Sequence, residues 1–91
     1  METSKLFEMR NGKEVDEHGN IFYYKKGRLH REDGPAVEYY GGDGVWYKDG
    51  LIHREDGPAV MWDGEVEEWW IKGCKLNDQE ILQHKLKNLL K

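Results

Sequence analysis

Two copies of one octapeptide hold most of the side chains that could do chemistry. His30-Arg31-Glu32-Asp33-Gly34-Pro35-Ala36-Val37 recurs as His53-Arg54-Glu55-Asp56-Gly57-Pro58-Ala59-Val60, an eight-residue identity at a spacing of 23. An imidazole and carboxylates this close together are the groups a divalent metal, or a general acid and base, would use. On that reading His30, Glu32, Asp33 and His53, Glu55, Asp56 are two half-sites of a metal-dependent enzyme. The structural reading is stronger. A connector between two units needs a glycine for an unusual φ and a proline for a fixed one. Arg and Asp then satisfy turn carbonyls and amides, or pair with the neighbouring unit. Catalytic groups also converge from separate elements and differ chemically, whereas here one short string is used twice.

Nothing else in the chain restores catalysis. Gly-x-Ser-x-Gly, His-Glu-x-x-His and a Gly-rich loop ending in Lys-Ser or Lys-Thr are all missing from the sequence. Cys74 falls where Leu51 and Arg28 stand one and two periods earlier, an unconstrained position that reads as an incidental thiol. His18 lies in a Gly-Asn turn and His84 on the polar side of a C-terminal helix, both expected in solvent. The chain reads as a non-enzyme with no cofactor and no metal.

The elements that must position these residues follow from the same spacing. It relates Gly27, Gly50 and Gly73, and the aromatic pairs Tyr23-Tyr24, Trp46-Tyr47 and Trp69-Trp70. A period in this range means stacked supersecondary units. Each unit reads as a β-hairpin: 36–40 as a strand, 41–44 as a turn, 45–48 as the return, then Asp49-Gly50 turning again. The next unit runs 59–62, Asp63-Gly64, 68–71 and Lys72-Gly73, and a degenerate first unit has a turn at 18–20 and a strand at 21–24. At the C-terminus Asn77 and Glu80 have capping-box spacing, and Ile81, Leu82, Leu86, Leu89 and Leu90 form an apolar stripe. That stripe is expected to cover the last hairpin, or else to dock on a second copy, as a homodimer, or on a partner. The fold expected is all-β: a lead-in over 1–13, three antiparallel hairpin repeats over 14–76, and a capping α-helix over 77–91.

Adjacent strand residues point to opposite faces, so the aromatic pairs make two ladders. Tyr23, Trp46 and Trp69 form one, and Tyr24, Tyr47 and Trp70 the other. One must be core. The second either stays partly open and anchors a partner, with Tyr24, Tyr47 and Trp70 or their opposite-face neighbours as the anchors and Arg31 and Arg54 at the rim, or simply stiffens a thin ribbon. Aromatics beside Arg31 and Arg54 would alternatively hold a nucleotide by stacking and phosphate pairing.

Composition limits the partners. In 91 residues, 14 Lys+Arg against 18 Asp+Glu give 14 − 18 = −4, which suits neither a duplex nucleic-acid binder nor an anionic-membrane binder, and is too mild for a DNA mimic. No apolar run reaches a bilayer-crossing length, residues 1–5 show no signal-peptide core, and a single cysteine favours a reducing compartment, so the expected location is cytoplasmic. Lys25, Lys26 and Arg28 gather at one turn and Glu65, Glu67 and Glu68 on the last hairpin, which suggests an array polar from first unit to last.

The octapeptide with its following Trp-x-x-Gly resembles a MORN-like repeat variant of bacteriophages and large DNA viruses, over roughly residues 14 to 80. The ending Gly73-Cys74-Lys75-Leu76-Asn77-Asp78-Gln79-Glu80 is similar to the helical end of such arrays. The resemblance implies a β-hairpin solenoid and a viral source, but no activity. His-Arg-Glu-Asp-Gly replaces the usual His-Gly-x-Gly connector, which weakens any implied lipid binding. Taken together, the expectation is a small viral protein that binds and inhibits a host defence protein through an aromatic sheet face. A nucleotide-messenger sponge and a structural virion module are the alternatives.

Overall fold

Tight turns set the architecture. Lys26-Gly27, Asp49-Gly50 and Lys72-Gly73 hold φ of 51° and 79°, 51° and 82°, and 48° and 80°. Positive φ at both central residues makes a two-residue turn whose twist matches that of the flanking strands, and glycine takes the second place without a Cβ penalty. The computed structural model describes residues 10–90; residues 1–9 of the expected 1–13 lead-in, and Lys91, lie outside the described residues.

Among the described residues, eleven strands and one helix are built between these turns. The strands are β1 (Gly12–Val15), β2 (Ile21–Lys25), β3 (Arg28–Leu29), β4 (Val37–Glu38), β5 (Gly44–Val45), β6 (Tyr47–Lys48), β7 (Leu51–Ile52), β8 (Val60–Trp62), β9 (Val66–Glu68), β10 (Trp70–Ile71) and β11 (Cys74–Lys75), and the helix is α1 (Asp78–Leu89). Every strand pair is antiparallel. The main sheet runs β1-β2-β4-β5-β8-β9 with β3 added to β2, while β6-β7 and β10-β11 are separate two-stranded ribbons.

The expected return strands are each broken in two. Residues 45–48 were expected as one strand, but Val45 pairs with Val37 and Val60 in the main sheet, and Tyr47 pairs with Ile52 in a ribbon. Trp46 is the corner between them, and Trp69 is the corner between β9 and β10. The cause is burial. Folding the short ribbons over brings Tyr47, Ile52 and Trp70 onto the buried Val37–Val45–Val60 row, with Phe22 and Leu29 of the main sheet beside it. Each of those valines contributes about 1.5–3 kcal/mol by leaving water, and a flat sheet would leave the row open.

Hydrogen bonds then tie each hairpin to the next. Tyr23 donates its N–H to the Ala36 carbonyl at 2.8 Å, and Trp46 donates to the Ala59 carbonyl at 2.7 Å. Ala36 and Ala59 are fully buried, leaving room for nothing beyond a methyl group. At the far side, Gly50 donates to the Leu29 carbonyl and Gly73 to the Ile52 carbonyl, both at 2.9 Å. At the long-hairpin tips, Asn20 Oδ1 accepts the Tyr40 N–H at 2.9 Å and Asp43 Oδ1 accepts the Asp63 N–H at 2.7 Å.

Helix α1 begins as expected. The Asn77 side chain accepts from the Glu80 N–H at 2.8 Å, and the Glu80 carboxylate accepts from the Asn77 N–H at 2.9 Å. Its docking is not as expected. Leu82, Leu86, Leu89 and Leu90 are exposed, and Ile81, His84 and Asn88 are the half-covered positions. His84, expected in solvent, reaches the Glu55 carbonyl together with the Asn88 amide, and its ring meets Trp69 edge-on at 5.9 Å. Two polar side chains, and not the leucines, therefore make this contact. No helix among the described residues is long and apolar enough to cross a membrane.

Candidate functional site

Each His-Arg-Glu-Asp motif closes on itself. Arg31 Nε donates to Asp33 at 3.1 Å, and its Nη1 donates to the Pro35 carbonyl at 3.2 Å. Arg54 repeats this with Asp56 at 3.0 Å and the Pro58 carbonyl at 3.1 Å. Each guanidinium also lies over an aromatic ring: Arg31 over Tyr23 at 4.1 Å, Arg54 over Trp46 at 4.0 Å. Gly34 and Gly57 form the opposite wall. A Cβ at either position would sit 2.8 Å or 2.7 Å from the guanidinium carbon. The glycines are therefore favoured by close approach of the guanidinium and not, as expected, by an unusual φ, since neither lies in the left-handed region.

The histidines serve the neighbouring hairpin. His30 Nδ1 accepts the Asp49 N–H at 2.9 Å, and His53 Nδ1 accepts the Lys72 N–H at 2.9 Å. These are the tight-turn residues held at positive φ. Acceptance at Nδ1 places the proton of a neutral ring on Nε2, where His30 donates to Glu32 at 3.2 Å. Every polar member of the octapeptide thus has a partner within the fold or across to the next hairpin.

The two copies differ around the histidine, where His30 is 3.2 Å from Glu32 but His53 is 3.8 Å from Glu55, and around the arginine. Arg31 also donates to Glu38, whereas the corresponding place beside Arg54 is held by Met61. Burial works against the Arg31 charge, but the bonds to Glu38 and Asp33 overcome it and raise its pKa. At the third ring, Trp69, no arginine follows, because Asn77 stands in its place. Lys85 of α1 supplies the cation instead, 5.6 Å from the ring centroid.

Although the copies have equivalent local bonding, they are not independent on the surface. Arg31 and Glu32 of the first, with His53, Arg54, Glu55 and Asp56 of the second, line one groove of about 310 Å³ whose other walls are Trp46 and Lys48. A smaller hollow of about 130 Å³ adjoins it between Lys48, Leu51, His53, Glu55 and Lys72. Hairpin-to-hairpin hydrogen bonding brings the two loops side by side, as half-sites on adjacent units. The groove mixes three carboxylates with three cations and His53. Among the described residues, no three His, Cys, Asp or Glu side chains are grouped to hold a metal ion.

The ladders can now be placed. Tyr47 and Trp70 face the valine row, so the Tyr24–Tyr47–Trp70 ladder is the one turned to the core side. Tyr24 stacks at 6.5 Å from Phe22 with Arg10 above it at 4.9 Å. The Tyr23–Trp46–Trp69 ladder is covered by Arg31, Arg54 and α1. Trp69 is buried and the other five rings are half-buried. Among the described residues, the aromatic side chains most open to water are ones the ladder argument missed: Tyr39, Tyr40 and Trp62, at the long-hairpin tips. The signal was present, since 36–40 alternates and its outer residues lie beyond the reach of the tight-turn ribbons. No protein-family model, curated protein or solved structure matches the chain.

Proposed function

We propose that the chain is a non-catalytic binding module, a MORN-like array of hairpin units spaced by 23 residues, which holds a host protein in the cytoplasm of an infected cell and inhibits it. One observation carries the binding reading. The imidazoles and guanidiniums of both octapeptides are used inside the fold, His30 and His53 as joints to the next hairpin at the Asp49 and Lys72 N–H groups, and Arg31 and Arg54 within their own motifs at the Pro35 and Pro58 carbonyls. What the surface offers a partner is instead apolar: Tyr39, Tyr40, Trp62 and Val66 at the tips, and the leucines of α1. Exposed aromatics dominate binding hot spots. The repeat reading is supported by the pairs of equivalent bonds at the His, Ala and Gly positions. The viral source and host target rest on the resemblance of the octapeptides.

Affinity purification of the tagged chain from host cells, with mass spectrometry of both protein and small-molecule fractions, tests the proposal. A host protein in stoichiometric amount is the expected result. A nucleotide released on denaturation would replace this reading with that of a sponge, for which the Arg31–Trp46–Lys48–Arg54 groove is the supporting observation. Self-association lost in Leu86→Ser would instead identify the α1 leucines as a homodimer surface.

A further inference from the structure

The hydrophobic face of the main sheet is longer than its cover. Val37, Val45 and Val60 face the tight-turn ribbons. Side chains two apart share a face, so Tyr39 and Trp62 continue that row toward the tips. Register adds Val66 opposite Trp62. The Tyr39 and Trp62 rings meet at 5.6 Å, and both remain partly open to water. Their exposures are 37% and 36%, with Val66 at 52% and Tyr40, at the edge, at 84%. Tyr40 is nonetheless held in place, with its N–H on Asn20 and its ring against Gly19, 3.1 Å from where a Cβ would stand.

The charge beside this row has one sign. The tips 16–20, 39–43 and 62–66 contain Asp16, Glu17, Asp43, Asp63 and Glu65 and no Lys or Arg. Hydrogen bonding from the Asn20 N–H holds the Asp16 carboxyl below its ordinary range, so that charge persists in mild acid. At the opposite strand ends, 25–28, 48–51 and 72–75 hold six cations against Asp49 alone. The charge separation therefore runs across the ribbon, not from first unit to last as the sequence suggested.

We propose that the Tyr39–Trp62–Val66 row and its acidic tips form a docking surface for a basic, apolar-containing segment of a partner protein. The proposal deepens the binding-module reading and rests on it. Apolar partner side chains would lie on the row, Lys or Arg would meet the carboxylates, and a guanidinium would find the Trp62 face. An acidic segment or a nucleic-acid strand would be repelled by the same tips.

Panning a display library of short random peptides on the full chain, with counter-selection on Tyr39→Ser/Trp62→Ser, tests this directly. Enriched peptides should be net positive with at least one large apolar residue. They should bind the parent about tenfold or more tightly than the variant, and weaken as salt rises. Tyr39→Ser alone is the second variant should the double substitution lower the melting temperature. Enrichment of neutral or acidic peptides, or equal binding to parent and folded variant, would overturn the proposal. So would sedimentation showing that the row is covered by a second copy. A host protein captured equally by the variant would sink this surface and leave the binding-module reading standing, whereas tip-dependent basic peptides with no host protein captured would do the reverse.

Discussion

Arg54 illustrates how much of this fold is held by single side chains. It joins Asp56, the Pro58 carbonyl and the Trp46 ring while pressed against Gly57. Gly57→Ala cannot keep that arrangement, because the new Cβ would stand 2.7 Å from the guanidinium carbon. The flexible arginine gives way before the backbone does, so the cost is the loss of its contacts, about 1–2 kcal/mol. Urea denaturation should show this loss in the parent and nearly none in an Arg54→Ala background, a coupling that two independent sites would not give. Tyr47 gives a pH test. Burial, aided by Tyr39, pushes its phenol above the ordinary range. The folded state therefore favours the neutral ring. Its stabilising contribution is fully present below about pH 10, the unfolded value, and is lost as pH rises through the folded value. Tyr47→Phe should remove part of the alkaline fall in melting temperature.

At the scale of elements, the tight turns hold residues that do not suit them. Lys72 adopts φ 48° and Lys26 φ 51°, positions where Asn or Gly has the lower cost. Lys72→Asn should stabilise the chain by about 0.5–1 kcal/mol, read as a higher denaturant midpoint with unchanged slope. Helix α1 makes a contrasting pair. Asn77→Ala breaks the capping box and should cost about 1 kcal/mol, while Leu86→Ser, at an exposed position, should change stability by less than about 0.5 kcal/mol. Had the leucine stripe been the docked face, that order would reverse. The turns and the helix start were legible in the sequence because glycine after a polar residue, and Asn-x-x-Glu, act locally. The corners at Trp46 and Trp69 were not, since alternation reads the same whether a strand continues or changes sheets. Nor was the His84–Asn88 contact, because a carbonyl in need of a partner leaves no mark on residue type. That Arg31 and Arg54 bond turn carbonyls was legible in the octapeptide, but the reason for Gly34 and Gly57 lay in a distance.

Across the whole molecule, three layers of contact run parallel to the stack. Asn20 and Asp43 link the long-hairpin tips, the alanines and valines fill the centre, and His30 and His53 clasp the tight turns. Each hairpin is sheltered by the next, and α1 closes the last with Lys85 and His84 on Trp69. In such an array damage spreads to neighbours only, so a lost clasp should loosen one turn before the chain unfolds. The most direct test is amide hydrogen exchange at Lys72 in the parent and in His53→Ala. The account predicts slow exchange at Lys72 in the parent and a large local acceleration in the variant, with Asp49 still protected by His30. Fast exchange at Lys72 in the parent, or no change on losing the imidazole, would contradict the claim that these motifs are joints.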